Sequence, residues 1–569
     1  MYPMSLSEKP WFRRFLVTVA GGKHYKAFDR TSKDLRGTQE AVLKRMLDQV
    51  RNTAFGRDYS LASVKTIEDY RKAVPIGDFE THRPYVERMM RGERDVLFPG
   101  KPIIYNVTSG TTNKSKMIPI SREYYEASVS SMNRLWLYSV MRDNPRIYDG
   151  KSLSAVSPAE EGVTEDGTPY GSVSGIGYRD IPNVLKSTYS FPYAVICIRD
   201  YPEKYYAMVR FALEHNITFI ISPSPSNLIR FHQTVVDSFG DLVKDIRDGT
   251  LRQSAASGLP DEGRDEVMRM LKPNAARARE LEKLMSTHGK ELRPRHYWPN
   301  IACVNVWKQG NFALKLPDIE DYFGEQTVFR AFGYQASEGR LGLVLNNDWD
   351  YSVLAHYVYH VEFIDVAERD SEQPRTLQAH EVEKGKRYFV VFTNGSGLFR
   401  YDINDMVEIV DFYNQVPLFR FLQKGEGVTS LTGEKLSELQ AIDAVAHAAR
   451  TCSTDVRNYV LCCDEAAMKY RLFAEFHPET PKDTKRAFMK EFDNRLCAIN
   501  REYEAKRHSE RLEAPDLREL CYDSYELLKQ RRIANGMGRA GQYKDIYLTN
   551  KPALIHVLES LPRQTVATD

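Results

Sequence analysis

Thr108-Ser-Gly-Thr-Thr-Asn-Lys-Ser-Lys116 follows a short, mostly apolar run at residues 103–107 that reads as a strand. No core element wants such a dense cluster of hydroxyls and glycine. The spacing does not fit the Walker A pattern GxxxxGK[ST]. Small hydroxyls and backbone N–H groups can still cradle anionic phosphate oxygens, and Lys116 adds a cation. The same residues are ordinary turn material, so a polar surface loop is the other reading they allow.

A second motif follows a predicted strand over residues 328–332. It reads Phe332-Gly-Tyr334-Gln-Ala-Ser337-Glu338-Gly339. Glu338 can hold Mg²⁺ against phosphate, because magnesium takes oxygen ligands from one or two carboxylates. Tyr334 can stack on a base. Taken alone, an ordinary strand-to-loop turn explains these residues as well. The third motif is Thr393-Asn-Gly-Ser-Gly-Leu-Phe-Arg400-Tyr401-Asp-Ile-Asn-Asp405. Asp405 can accept hydrogen bonds from ribose hydroxyls, as acidic residues do in other nucleotide sites. A glycine-rich hairpin with a salt-bridged Arg400 is the alternative. Order decides among these readings: a hydroxyl-rich loop, then the Tyr334–Gly339 turn, then the Arg400–Asp405 strand, then a hinge.

The pattern between the motifs is mixed α/β. Residues 36–55 read as a helix with Val42, Leu43, Met46, Leu47 and Val50 on one face. Residues 217–221 read as a buried strand, and residues 353–364 and 387–392 as further strands. Residues 255–290 are charged and alanine-rich and read as solvated helix. Composition changes after residue 424, where Gly425, Gly427 and Gly433 punctuate a polar connector. A helix from about Lys435, strands at 459–463 and 470–476, and a long helix carrying Phe488, Phe492, Leu496, Ile499 and Tyr503 then suggest a small α+β domain.

Bulk composition removes several classes of function. The chain has 569 residues, enough for two or more domains, and 79 Lys plus Arg nearly balance 77 Asp plus Glu. A net charge of +2 gives no footprint for nucleic acid or for an anionic membrane. No apolar run is long enough to span a bilayer. The run Phe15 to Ala20 after Arg13 and Arg14 is too short for a signal-peptide core and reads as an amphipathic or capping segment. Seven scattered cysteines without a CxxC pair argue against a disulfide framework or a zinc site, and so for a cytoplasmic protein. His356 and His360, four apart in a strand-like run, would lie about 13 Å apart and cannot share a metal. No GxSxG elbow is present.

In its three motifs the sequence resembles the adenylate-forming superfamily. Within it, the chain resembles the plant auxin-conjugating acyl-acid amido synthetases (the Gretchen Hagen auxin-responsive family) and their bacterial relatives, and it looks like a bacterial-type member. The resemblance runs through Val74-Pro75-Ile76, Tyr85 to Met89, Asp245 to Leu251, Trp298-Pro-Asn300, Val361 to Ile364, Phe419-Arg420-Phe421, Gly433 to Glu438 and Gly541 to Lys544. It implies an α/β adenylate-forming fold. A large N-terminal domain with β-sheets and a β-barrel-like part (1–424) would be joined by a hinge (425–434) to a small α+β lid (435–569).

The resemblance also implies roles. Thr108, Ser109, Gly110, Thr111, Thr112 and Lys116 would hold the triphosphate of ATP. Tyr334, Ala336, Ser337 and Glu338 would sit at AMP and Mg²⁺, Asp405 and Arg420 would contact the nucleotide, and Lys544 would reach the adenylate from the lid. Lys544, Lys116 and Glu338 would be catalytic. The implied activity is a ligase forming an acyl-AMP from a carboxylic acid and passing the acyl group to an amine or amino acid, by a monomer. An acyl-CoA ligase with the same first step, and a non-catalytic protein retaining the fold, are the alternatives. The chain departs from its relatives at Asn113 and Ser115, where the superfamily loop has Gly and Pro. It departs again at Gln423 and Lys424, where plant relatives carry two arginines. The acid's pocket is expected near the aromatic helix Tyr124 to Tyr138 and around Trp307.

Overall fold

The apolar run Ile217–Ser222 is a strand buried at every residue, as a strand covered on both faces must be. In the computed structural model it belongs to a parallel four-stranded sheet ordered Lys151–Ser154, Ile217–Ser222, Cys303–Val306, Val328–Ala331. The structure describes residues 9–107, 116–309, 316–369, 371, 374–425, 428–429, 431, 434, 436–464, 467–508, 512–534 and 545–562. Helices Tyr201–Leu213 and Pro225–Asp237 flank Ile217–Ser222 in sequence and share its core through Phe211, Leu228 and Phe231. Of the described residues, one compact unit takes those up to 403 and 407–421; a second takes 404–406 and those from 422 on.

A second sheet of the first unit is ordered Met117–Ile120, Ile104–Val107, Pro169–Gly171, Gly162–Val163. Its antiparallel register sets Val107 opposite Met117. The residues that border the hydroxyl-rich stretch on either side are therefore neighbours on a sheet. Thr108, Ser109, Gly110, Thr111 and Thr112, with Asn113 and Ser115, lie outside the described residues, as does Lys544.

The third sheet has seven strands, ordered Thr376–Gln378, His360–Asp365, Arg387–Thr393, Tyr401–Tyr413, Val416–Lys424, Ser352–Leu354, Gly342–Leu343. Along Tyr401–Tyr413 burial alternates: Tyr401, Ile403, Asp405, Val407 and Ile409 are buried and the residues between them partly open. Asp405 thus occupies a position whose neighbours in phase are apolar.

Two sequence expectations need correction. Residues 353–364 are not one strand. The chain turns through residues 355–359 between Ser352–Leu354 and His360–Asp365. The Gln39 amide holds that turn: it donates to the carbonyls of His356 (2.6 Å) and Tyr359 (2.7 Å) and accepts from the Val361 N–H (2.8 Å). Residues 255–290 are helical as expected, divided among the α-helices Gln253–Ser257, Asp261–Met270 and Ala275–His288. The long C-terminal helix ends at Ile499 and a new one starts at Arg501, because the Asn500 side chain caps the second by accepting from the Tyr503 N–H.

The second unit is built on a four-stranded sheet ordered Asp516–Glu519, Lys469–Phe476, Val456–Asp464, Leu548–Thr549. Helices Glu438–Thr451 and Lys482–Ile499 pack on it through Ile442, Val445, Phe488, Phe492 and Leu496. Leu436 falls in a short strand, and the first of these helices begins at Glu438 with a Ser437–Gln440 capping box. All seven cysteines are free. No helix among the described residues is long and apolar enough to cross a membrane.

Candidate active site

The strand pair Ile104–Val107 and Met117–Ile120 delivers Lys116 at the start of the second strand. Its Nζ donates to the Tyr401 hydroxyl at 3.1 Å and lies 3.8 Å from Glu338 Oε1. The Tyr401 hydroxyl in turn donates to Glu338 Oε1 at 3.3 Å. The Lys116 ammonium stands 5.9 Å from the ring of Phe79 and 5.8 Å from that of Tyr401, within cation–π range. Cation, hydroxyl and carboxylate form a closed triangle.

Backbone contacts fasten the three motifs. The Asn106 amide donates to the Ser337 carbonyl at 2.7 Å, and its oxygen accepts from the Val173 N–H. The Asn394 amide donates to the Glu338 carbonyl at 2.9 Å, while its oxygen accepts from the N–H groups of Ser396 and Leu398. Ser396 reaches the Pro119 carbonyl. Asn106 precedes the first motif, Ser337 and Glu338 belong to the second, and Asn394 opens the third. Sequence separations of more than 50 and more than 200 residues are therefore closed by two amides on buried or half-buried backbone.

The Asn394–Arg400 turn is held from below. Gly397 has φ +87°, and a Cβ there would meet Leu97 Cβ at 2.5 Å. Arg400 has φ +42°, a left-handed conformation that costs a non-glycine residue. Its guanidinium offsets that cost. It pairs with the buried Glu362 carboxylate at 3.0 Å and donates to the carbonyls of Val74 (2.9 Å) and Arg71 (3.1 Å). Arg71 pairs with the same carboxylate at 3.0 Å. Burial alone would raise the Glu362 pKa, but Arg400 and its other partners hold it below the usual value. His82 accepts from the Phe399 N–H through Nε2 and packs edge-on against Tyr401. Burial lowers its pKa, which keeps the ring neutral.

Among the other expected site residues, Ala336 pairs with Gly339 across a tight turn. Tyr334 is buried, with its ring against Phe419 and Phe421. Asp405 is buried on its strand. Arg420 is half exposed and faces Glu408 at 3.5 Å. His356 and His360 are both buried, and the turn between them removes the strand spacing assumed from sequence. The described residues hold no group of three or more His, Cys, Asp or Glu suited to a metal. Sequence reasoning misses Asn106 and Phe79, and it quotes Asn394 and Tyr401 in the third motif without a role; the signal for the two amides is an Asn just before the first motif and one inside the third.

A mixed α/β body in which Asn106 and Lys116, at the borders of the first motif, meet the second and third has the architecture of the adenylate-forming enzymes. A solved 2-hydroxyisobutyryl-CoA ligase in the postadenylation state, bound to 2-HIB-AMP, shares the fold with a TM-score of 0.53 at 13% identity over 93% of this chain and 92% of that one. The chain belongs to the GH3 family: the family's N-terminal domain matches residues 24–328, its central domain 352–424 and its C-terminal domain 439–553. An Arabidopsis thaliana relative, indole-3-acetic acid-amido synthetase GH3.17, is 25% identical over 501 residues, covering 79% of this chain and 80% of the relative. The solved GH3.15 acyl acid amido synthetase superposes with a TM-score of 0.81 at 20% identity, over 96% of this chain and 98% of that one.

Proposed function

We propose that this chain is an ATP-dependent acyl-acid amido synthetase. It activates a carboxylic acid as an acyl-AMP, releases pyrophosphate, and transfers the acyl group to an amine or amino acid. The observation that carries this reading is the Lys116–Tyr401–Glu338 triangle, fastened by Asn106 and Asn394 to the loops that bear it.

A carboxylate is a poor acyl donor because its oxygen is a poor leaving group. In the first half-reaction a carboxylate oxygen attacks the α-phosphorus and the bond to pyrophosphate breaks. Positioning and charge neutralisation do most of the work in such transfers. Lys116 supplies a fixed cation for phosphate oxygens, and Tyr401 orients it. Glu338 fits Mg²⁺, which is held by one or two carboxylates plus substrate phosphates rather than by an all-protein cage; bound there, the ion would neutralise phosphate charge. Asp405, buried in an apolar phase of its strand, is suited to bind ribose hydroxyls, while Thr108 to Thr112, Tyr334, Ala336, Ser337 and Arg420 complete the assignment to ATP and AMP. In the second half-reaction the amine nitrogen attacks the acyl carbon, AMP leaves, and the amine gives up a proton.

By this reading residues 1–424 are the adenylation domain, 425–434 a hinge and 435–569 a mobile lid carrying Lys544. A lid can complete a site and exclude water. Lys544→Ala then slows adenylation more than amine transfer from preformed acyl-AMP, and equal loss in both steps counts against the assignment. A cytoplasmic monomer is part of the proposal; seven free cysteines suit a reducing compartment. The function is tested by pyrophosphate release over a panel of acids, with amino acids and then CoA as acceptor. Amide products support it. Thioester products favour a CoA ligase, and no release with any acid refutes it.

A further inference from the structure

Arg340 stands two residues beyond Glu338, is buried, and has no ion pair with a carboxylate among the described residues. Nη1 donates to Asn133 Oδ1 and Nη2 to the Phe332 carbonyl, each at 3.1 Å. Its own backbone N–H donates to the Tyr359 hydroxyl at 2.9 Å. The guanidinium carbon lies 5.4 Å from the Trp136 ring and 5.1 Å from the Phe332 ring. The titratable groups acting on its charge are Tyr359 and Tyr357, and burial lowers its pKa to about 10, which leaves it charged near neutrality.

Three other buried arginines of this unit are neutralised by a carboxylate, while Arg13 donates to the Gly150 carbonyl and the Ser187 hydroxyl. Arg330 pairs with Asp143 at 2.9 Å, Arg400 with Glu362 at 3.0 Å and Arg210 with Glu214 at 2.7 Å. Among the described residues, Arg340 Nε has no acceptor, and neither has Trp136 Nε1 on the ring beside it. Two aromatic faces offset part of the cost of burying the charge. They do not satisfy two N–H donors, and buried donors are seldom left unmade. A cation and two unmatched N–H groups beside aromatic rings ask for an oxyanion on an apolar body. Asn133 and Trp136 lie on the helix Ser131–Asp143, which follows the π-helical stretch Tyr125–Ser130. Such stretches recur at functional sites.

We propose that Arg340, with Trp136 Nε1 and Asn133, is a carboxylate-recognition subsite that selects the acid substrate. The proposal rests on the reading of the chain as an acid-activating enzyme. The carboxylate it binds is either the one activated or a second one on the same flat, apolar acid.

The test uses the full chain, its Arg340→Gln, Arg340→Lys and Trp136→Phe variants, and three probes: benzoate, terephthalate and the neutral benzamide. Calorimetric titration gives binding, and pyrophosphate release gives KM and kcat. Wild type is expected to bind at least one carboxylate and to reject benzamide. Arg340→Gln should weaken that binding, and raise KM, ~10–100-fold, the loss of one or two hydrogen bonds to a charged group. Arg340→Lys should recover part of it. If both acids lose equally, the bound group is the reacting carboxylate; if only terephthalate loses, it is a second one. Benzamide binding as tightly as the acids, no carboxylate binding by wild type, or unchanged binding in Arg340→Gln would each overturn the proposal. If Arg340→Gln fails to fold, Trp136→Phe decides, since it removes one donor and should weaken binding severalfold. Binding that responds to Arg340 without any pyrophosphate release would sink the enzymatic reading and leave the subsite standing.

Discussion

Lys116 Nζ and Glu338 Oε1 stand 3.8 Å apart with the Tyr401 hydroxyl hydrogen-bonded to both. The hydroxyl fixes the separation of a cation and a carboxylate that, in the proposed mechanism, act on phosphate. Without it, Lys116 can collapse onto Glu338, and each would neutralise the other rather than the substrate.

Tyr401→Phe is therefore expected to lower kcat/KM for pyrophosphate release about 10-fold, the worth of one charged hydrogen bond. The ring and its packing against His82 remain, so stability should move by no more than about 1 kcal/mol. Unchanged release kinetics in a folded variant would mean that the hydroxyl does not position Lys116.

The Arg400–Glu362 pair makes a second prediction, about stability. Removing one partner of a buried pair strands the other, which costs about 3–5 kcal/mol. Glu362→Gln leaves both Arg400 and Arg71 without their carboxylate, so its unfolding free energy should fall by that amount, read as a lower denaturant midpoint at unchanged slope. The folded-state pKa of Glu362 is depressed by Arg400 despite its burial. Its contribution is thus complete above the ordinary carboxylate pKa and lost as pH falls through the lower folded value. The wild-type penalty for acid should be smaller in Glu362→Gln.

Much of this fold can be read from the chain, and the unreadable parts share one physical cause. Ile217–Ser222 and the apolar stripe of Leu35–Val50 announce themselves because local hydrophobic pattern decides them. The turn at residues 355–359 does not. Val353 to Ile364 is rich in β-branched and aromatic residues, yet it bends because Gln39, more than 300 residues earlier, supplies two donors and an acceptor. The motif residues were legible as chemistry; the amides of Asn106 and Asn394 that hold them, and the buried Arg340, depend on distant partners. Gln39→Ala strips that turn of all three bonds and should cost about 3 kcal/mol, because buried groups are left unsatisfied. A loss below about 1 kcal/mol would show that the turn holds itself.

Acid sensitivity near neutrality falls to a different group. His356 is buried against Phe28, with Nε2 3.0 Å from the Thr31 hydroxyl and Nδ1 3.2 Å from the Leu354 carbonyl. Burial lowers its pKa from 6.5 to about 4, against the opposing effect of those bonds. The unfolded chain therefore takes up a proton below pH 6.5 that the folded chain refuses until about pH 4. Stability is complete above that window and falls as pH drops through it, by about 3 kcal/mol from this residue. His232, lowered to about 4, and His215, lowered to about 3, act in the same direction. Melting curves between pH 7 and 4 should show the midpoint falling steadily through this interval. His356→Gln should flatten part of the slope while the other histidines lowered by burial, His82 and His360 among them, preserve the remainder. An unaltered slope in that variant would place the acid sensitivity elsewhere.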